Sequence, residues 1–404
     1  MWPRKRIDVT WGDLAFGLVH CFTPGKHEVQ RSRLEAEWDG GDSVLACLSA
    51  RTGLDLLLQA LGLPRRSEVV MSAVTIPDVV RIVEHHGLVP VPVDLDLGTA
   101  APSVDGIQAA LSPATRAVVV APLFGARWSL DPMVRFCNSR GLYLVEDCAQ
   151  AFCGNAYRGH PGADASLFSF GPIKTATALG GALLRVRDPR LLLEMRDRQA
   201  EYPVQSRFAY ARRLAKYAGL RLLLHRALYG LFFKACSVAG RDPERLIGSM
   251  ARNFGGGDLI ASLRRQPPTA LLALLRRRLR TYNDRRAETQ AARGRLLADL
   301  LRGRVLAPGS QAESNTYWVF PIVVAEPELL IAALRSQGFD ATQAHSLTVV
   351  RPPAEQDDRG HLEAERMLRH IVFLPCCPEM PVSEIERLAR VVLANGEAAR
   401  TPGR

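Results

Sequence analysis

The chain has 404 residues, of which 47% are hydrophobic and 23% are charged, with a net charge of +11. This composition is typical of globular proteins and excludes a disordered or fibrous chain. No uncharged apolar run reaches the roughly 18 residues that a membrane-spanning helix needs. The apolar run near the start is short, contains Asp8, Asp13 and His20, and is followed by no cleavage-site pattern. We therefore do not interpret it as a signal peptide and expect a cytoplasmic protein.

The cysteines and histidines predict neither a disulfide framework nor a metal site. None of the eight cysteines forms a Cys-x-x-Cys motif or has the spacing of zinc ligands, and the nine histidines form no cluster. We expect most of the cysteines to be small buried side chains in a reducing compartment.

Short apolar runs alternate with helical patterns through the first half of the chain. The runs lie at 43–53, 68–75, 88–95, 116–125, 142–150, 166–171 and 181–188. Leucines at helical spacing follow the first run, with Ser49 as a candidate N-cap, and further helices are predicted at 78–86 and 132–138. This alternation is typical of a largely parallel sheet covered by helices on both faces. In such sheets ligands bind at the carboxyl ends of the strands.

The second half of the chain changes character. Residues 204–280 are helical in pattern and rich in arginine, and the net charge over 207–280 is +13, which leaves the remainder near neutral at −2. After them, the pattern predicts a helix, a strand at 315–324, a helix at 326–339, and a strand, turn and helix at 372–393, with a frayed tail. The expected organisation is an N-terminal segment (1–40), a large domain (41–203), a basic helical insertion (204–280) and a small α+β domain (281–404).

Four residues at predicted strand ends are candidates for chemistry. Asp147 and Gln150 lie in EDCAQ, and Ser169 and Lys174 lie in SFGPIK after the next strand. Lys174 is the only lysine between positions 26 and 216 and is surrounded by apolar and small residues. Desolvation of such a lysine lowers its pKa and makes it a nucleophile.

The order of three motifs resembles the DegT/DnrJ/StrS family of fold-type I pyridoxal-phosphate enzymes, which are mostly sugar aminotransferases. The motifs are SARTGLDLLLQALG, EDCAQ and FSFGPIK, and the resemblance covers roughly residues 43–200 and returns in the C-terminal part. It implies an α/β fold, with a mostly parallel central sheet in a large cofactor-binding domain and a small α+β C-terminal domain. It also implies a homodimer.

The resemblance further implies roles for individual residues toward pyridoxal 5'-phosphate. Lys174 would hold the cofactor as a Schiff base and move a proton, and Asp147 would keep the pyridine nitrogen protonated. Gln150 would bind the phenolic oxygen. The phosphate would be bound by Ser169 and by the helix that opens at Ala50 and Arg51.

This sequence departs from the family pattern at three places. Arg51 stands where the family has a phosphate-binding threonine, and Ile76 stands where an aromatic residue stacks on the cofactor ring. The asparagine that reaches the phosphate from the neighbouring subunit has no clear match near residues 262–265. These changes leave the substrate class open.

We therefore predict an aminotransferase that transfers an amino group from a small donor to a keto group of a sugar, nucleotide-linked or otherwise, or of another carbonyl metabolite. The altered contacts favour a second interpretation, a degenerate homologue that binds the cofactor in a regulatory or structural role. Nucleic-acid binding is not expected, since no basic recognition helix lies beside stacking aromatics.

The segment 207–280 combines basic and apolar residues. This pattern is typical of a surface that contacts an anionic membrane or a lipid-linked substrate. Packing of its leucines within the protein, and binding of a nucleotide-linked sugar by its arginines, are the alternatives.

Overall fold

The computed structural model describes residues 1–4, 7–239, 258–343, 346–351 and 362–396. The glycine run at 255–257 and most of the predicted frayed tail lie outside this part of the chain.

A central sheet carries the first half of the fold. The first nine strands are β1 (Val44–Cys47), β2 (Glu68–Ser72), β3 (Val74–Thr75), β4 (Val89–Val93), β5 (Thr115–Val120), β6 (Ala126–Arg127), β7 (Tyr143–Asp147), β8 (Ala165–Ser169) and β9 (Ala182–Val186). Among the described residues, seven of them form one sheet in the order β1-β9-β8-β7-β5-β2-β4. The neighbours from β4 to β8 are parallel, and β9 is antiparallel to both β8 and β1. The predicted α/β fold with a mostly parallel sheet is confirmed.

Helices cover both faces of this sheet, so its strands are buried and read as continuous apolar runs. The helices up to β9 and just beyond are α1 (Trp11–Phe22), α2 (His27–Asp39), α3 (Ala50–Leu61), α4 (Pro77–His85), α5 (Val104–Ala110), α6 (Asp131–Ser139) and α7 (Pro189–Ala200). Ser49 caps α3 as expected, because its hydroxyl accepts from the Thr52 N–H at 3.1 Å. Gly62 ends the helix in the left-handed conformation, with φ +54°.

Two helices near the N-terminus have no counterpart among the sequence-based expectations. Thr10 and Asp13 form a capping box at the start of α1, which satisfies two N–H groups that a helix start leaves unpaired. The helix is apolar around most of its circumference, so it shows no simple amphipathic period. α1 and α2 both pack against a later helix of the chain, α11.

The basic segment forms further helices where it is described. They are α8 (Arg207–Leu223), α9 (Arg226–Val238), α10 (Leu259–Leu263) and α11 (Thr269–Arg280). α8 and α11 pack on α1, so these helices form a layer beside the sheet. Arg278 of α11 is buried in this layer and bonds to both Asp8 and Asp13. No described helix has the length and apolar character that would let it cross a bilayer.

The C-terminal part packs a small sheet against helices. Its elements are α12 (Asp284–Leu301), β10 (Ser314–Asn315), β11 (Phe320–Val323), α13 (Pro327–Ser336), β12 (Thr348–Val349), α14 (Leu362–His370), β13 (Ile371–Leu374) and α15 (Val382–Ala394). β11 pairs with β13. The strand expected over 315–324 is split, because Tyr317 has φ +47° and the chain turns there.

Candidate active site

Residues from several elements meet at the carboxyl edge of the central sheet. Lys174 follows β8 and Asp147 ends β7, while Arg51 lies in the first turn of α3 after β1. The charges of Asp147 and Arg51 both act on the Lys174 amine. The structure thus brings together three of the residues that the sequence singled out.

The Lys174 side chain is half-buried and its amine end is enclosed. The pKa of the Lys174 amine is lowered to about 8, mainly by burial; the Asp147 carboxylate opposes this effect, and the Arg51 guanidinium adds to it. Near neutral pH an appreciable fraction of the amine is therefore uncharged. An uncharged amine in such a pocket can attack a carbonyl group.

The loop after Lys174 has a strained conformation that hydrogen bonds from other segments stabilise. Ala176 and Leu179 are left-handed, with φ +54° and +62°, which costs free energy for residues other than glycine. The Ala176 N–H donates to Asp8 Oδ2 at 2.8 Å, and Arg278 Nε donates to the Thr177 carbonyl at 3.2 Å. The N-terminal segment and α11 therefore hold the loop that directly follows Lys174.

Asp147 keeps part of its hydrogen-bonding capacity. Its Oδ1 accepts from the Ala149 N–H at 3.0 Å, and its other oxygen takes no hydrogen bond from a described residue. Burial and the neighbouring Glu146 raise the pKa of the Asp147 carboxyl, against the Ala149 N–H and the Lys174 charge. Glu146, in contrast, is occupied by the hydroxyls of Tyr157 and Ser166.

Gln150 ties this region to the loop after β5. Its Oε1 accepts from the Phe124 N–H at 2.8 Å. Phe124 is left-handed with φ +61°, and Gly125 follows with φ +93°. The amide nitrogen of Gln150 makes no hydrogen bond to a described residue and remains able to donate.

Two groups that could bind an anion flank the lysine. The first turn of α3 leaves backbone N–H groups without partners in the helix, and its dipole favours negative charge. The Arg51 guanidinium in that turn forms an ion pair with Asp78 at the start of α4. Ser169 ends β8, and its hydroxyl makes no hydrogen bond to a described residue.

Ile76 precedes α4 at its N-cap position and is half-buried against the apolar cluster of the adjoining helices. Asp78, the partner of Arg51, lies two residues further on. Ile76 thus lies close in sequence to the partner of Arg51 and has an aliphatic side chain.

Trp318 is a site residue that the sequence-based analysis missed. Lys174 Nζ lies 4.2 Å from the centroid of its indole ring, and its Nε1–H donates to the Ile173 carbonyl at 2.9 Å. The segment before it is bound to the loop after β5, because β10 pairs with β6 and the Thr316 N–H donates to the Gly125 carbonyl at 3.0 Å. A side chain at Gly125 would lie 2.3 Å from Thr316 Oγ1, so glycine permits this approach.

Comparisons with known proteins indicate a family and a fold for this chain. Residues 20–211 match the model of the DegT/DnrJ/EryC1/StrS aminotransferase family. The match covers slightly less than half of the chain, which is similar to this family over that region. Its members are pyridoxal-phosphate-dependent aminotransferases, and the motifs around Asp147 and Lys174 lie inside the matched region.

Solved structures share the fold over nearly the whole chain. The aminotransferase TlmJ from Streptoalloteichus hindustanus has a TM-score of 0.70 at 18% identity and covers 98% of each chain. Helicobacter pylori PseC, an aminotransferase involved in the biosynthesis of pseudoaminic acid, has a TM-score of 0.71 at 14% identity and covers 98% of this chain and 99% of its own. DesI, solved in the presence of its TDP-sugar product, has a TM-score of 0.66 at 18% identity. The match covers 98% of this chain and 92% of DesI.

Proposed function

We propose that this protein is a pyridoxal-phosphate-dependent aminotransferase that aminates a keto group of a nucleotide-linked sugar or a related carbonyl metabolite. The observation that carries the proposal is the Lys174 amine, whose pKa is lowered to about 8 at the sheet edge where Asp147 and Arg51 also lie. The match to the family over residues 20–211 supports the reaction. The TDP-sugar product of DesI supports the substrate class.

The donor set around Lys174 fits pyridoxal phosphate. The first turn of α3, the Arg51 guanidinium and the Ser169 hydroxyl offer donors for a phosphate. Asp147 has a carboxylate oxygen available for a protonated ring nitrogen, and the Gln150 amide can donate to the phenolic oxygen. Ile76 supplies apolar cover without an aromatic ring.

Each residue would then have a defined task. The bound cofactor would supply an electron sink that stabilises negative charge on the substrate carbon. Lys174 Nζ would hold the cofactor covalently until a donor amine replaces it, and would then carry the proton to and from the substrate carbon. Asp147 would hold a proton at the ring nitrogen, and its charge also favours the ammonium form of Lys174.

The proposed partners are an amino-acid donor, a carbonyl acceptor and a second copy of the chain in a homodimer. The absorption spectrum of the purified protein tests the reaction, first with added pyridoxal phosphate and then with an amino donor. We expect a visible band that disappears when the donor is added, and no such band in Lys174→Ala. A protein that forms no band with the cofactor contradicts the proposal.

A second candidate function is cofactor binding without turnover. It is favoured by Arg51, whose guanidinium is engaged by Asp78, and by Ile76 in place of an aromatic residue. The same spectra distinguish the two functions, because a degenerate homologue keeps its band after the donor is added, whereas a catalyst loses it. An aminotransferase that acts on a lipid-linked substrate would also lose its band when the donor is added. Activity assays with nucleotide-linked and with lipid-linked sugars as acceptors distinguish these two substrate classes.

A further inference from the structure

One face of α1 is apolar and exposed. The helix buries Leu14, Gly17 and Cys21 on its inner side. Its outer side presents Trp11, Leu18, Val19 and Phe22 to solvent, with Val19 and Phe22 60% and 61% exposed. Their spacing of seven, eight and eleven residues from Trp11 places all four on one side of a helix. The outer side of a surface helix is normally polar. The apolar outer side of α1 is therefore a candidate binding surface.

α8 extends the apolar surface. It runs alongside α1 in the opposite direction, since Phe208 at its start lies 6.2 Å from Phe22, ring centroid to ring centroid, and Arg221 near its end lies 5.6 Å from the Trp11 ring. Phe208 and Leu222 are 57% and 55% exposed. We define the α1–α8 face by its large exposed apolar side chains: Trp11, Leu18, Val19, Phe22, Phe208 and Leu222.

The charge beside this face has one sign. Residues 207–238, which form α8, α9 and the turn between them, contain seven lysines and arginines and no aspartate or glutamate. Arg207 and Arg212 are exposed on α8. Arg213 differs from them, since it is turned inward and donates to the Leu179 carbonyl at 3.2 Å. α9 continues the pattern with exposed Leu231 and Lys234.

We propose that the α1–α8 face docks the protein on an anionic lipid surface. The tryptophan and phenylalanine rings would enter the boundary between headgroups and acyl chains, and the guanidinium groups would bind lipid phosphates. This inference goes beyond the aminotransferase function and does not depend on it.

A second copy of the chain fits the face less well. A two-fold interface brings the same patch of each subunit together. The exposed Arg207 and Arg212 of both copies would then lie in one interface, without a carboxylate from residues 207–238 to balance them. An anionic surface complements both the apolar and the basic components.

Vesicle co-sedimentation of the full-length protein tests the proposal. We expect binding to vesicles of phosphatidylcholine with phosphatidylglycerol at low salt, weaker binding at high salt, and none to phosphatidylcholine alone. Phe22→Ser and Arg212→Glu should each raise the apparent dissociation constant about tenfold. Leu193→Ser on α7 and Arg302→Glu after α12 change exposed residues on other elements and should bind like the parent.

Three results would overturn the proposal. They are no binding to anionic vesicles at low salt, equal binding by the Phe22 and Arg212 variants and the parent, and conversion of a dimer to a monomer by Phe22→Ser in light scattering without lipid. The last result would assign the face to a second copy. Arg212→Glu replaces an exposed side chain and keeps the test decisive if Phe22→Ser does not fold.

Discussion

The Trp318 indole contacts both the side chain and the backbone of the turn that carries Lys174. Its ring centroid lies 4.2 Å from Lys174 Nζ, and its N–H donates to the Ile173 carbonyl at 2.9 Å. A cation over an indole face is stabilised by about 0.5–2 kcal/mol. Trp318 therefore favours the charged form of the amine, whereas burial and Arg51 favour the neutral form.

Replacing Trp318 should lower the pKa of Lys174. We expect Trp318→Leu to shift it downward by up to about one unit, since one unit corresponds to about 1.4 kcal/mol, and Trp318→Phe to shift it less. The measurement is the pH dependence of acylation at residue 174 in cofactor-free protein, followed by peptide mapping. Trp11→Leu, which removes an exposed indole on α1, is the control. An unchanged midpoint in Trp318→Leu would show that the ring does not act on the amine.

The two charges near Lys174 should shift its titration in opposite directions. The Arg51 guanidinium disfavours the ammonium form, so Arg51→Gln should raise the pKa of Lys174. The Asp147 carboxylate favours the ammonium form, so Asp147→Asn should lower it. The same acylation assay, with the parent midpoint near pH 8, measures both. Shifts of the same sign in the two variants would contradict this arrangement of charges.

Cofactor affinity should depend on Arg51. Arg51→Ala removes a charge-assisted donor to the phosphate and should raise the dissociation constant of pyridoxal phosphate about tenfold or more. Arg81→Ala is a matched control, because Arg81 also lies near Asp78, at 3.8 Å, but is largely exposed. Absorbance titration with the cofactor gives both constants. If Arg51→Ala binds as tightly as the parent, Arg51 does not contribute to binding of the phosphate.

Ile76→Phe tests the other departure from the family pattern. Ring stacking contributes about 0.5–1.5 kcal/mol beyond the buried area, so a phenylalanine at this position should lower the dissociation constant of pyridoxal phosphate severalfold. The titration used for Arg51 measures it, with Ile76→Leu as the aliphatic control. A weaker affinity in Ile76→Phe than in Ile76→Leu would show that residue 76 does not face the ring.

Stability should depend on the buried Arg278. Its guanidinium bonds to Asp13 at 2.8 Å, to Asp8 and to the Thr177 carbonyl. Arg278→Met leaves these oxygens with fewer donors, and we expect a loss of about 3 kcal/mol in the free energy of unfolding. Urea denaturation measures it. Arg280→Met on the same helix removes an exposed arginine that lies 3.8 Å from Glu37 and should cost less than about 1 kcal/mol; equal losses in the two variants would contradict the role of Arg278.

The sheet and part of the site could be predicted from the sequence because their signals are local. Strands buried on both faces are continuous apolar runs, and Ser49 marks the start of α3 with its own side chain. Asp147 and Lys174 follow such runs, so a parallel sheet places them at one edge.

The remaining features depend on packing between distant segments. α1 is apolar around most of its surface and gives no helical period, although a capping box starts it. Trp318 reaches Lys174 only because Tyr317 turns the chain and Gly125 admits Thr316. In the sequence nothing distinguishes Arg278 from the other arginines, and only the folded structure shows that it is buried beside Asp13.

Reductive trapping of the cofactor tests the central claim most directly. The protein is incubated with pyridoxal phosphate, reduced with borohydride, digested and mapped by mass spectrometry. We expect the pyridoxyl group on Lys174, whose pKa is lowered by burial, and no label in Lys174→Ala. Label on Lys216 of α8 or Lys234 of α9 in place of Lys174, or no label at any lysine, would contradict the proposed active site.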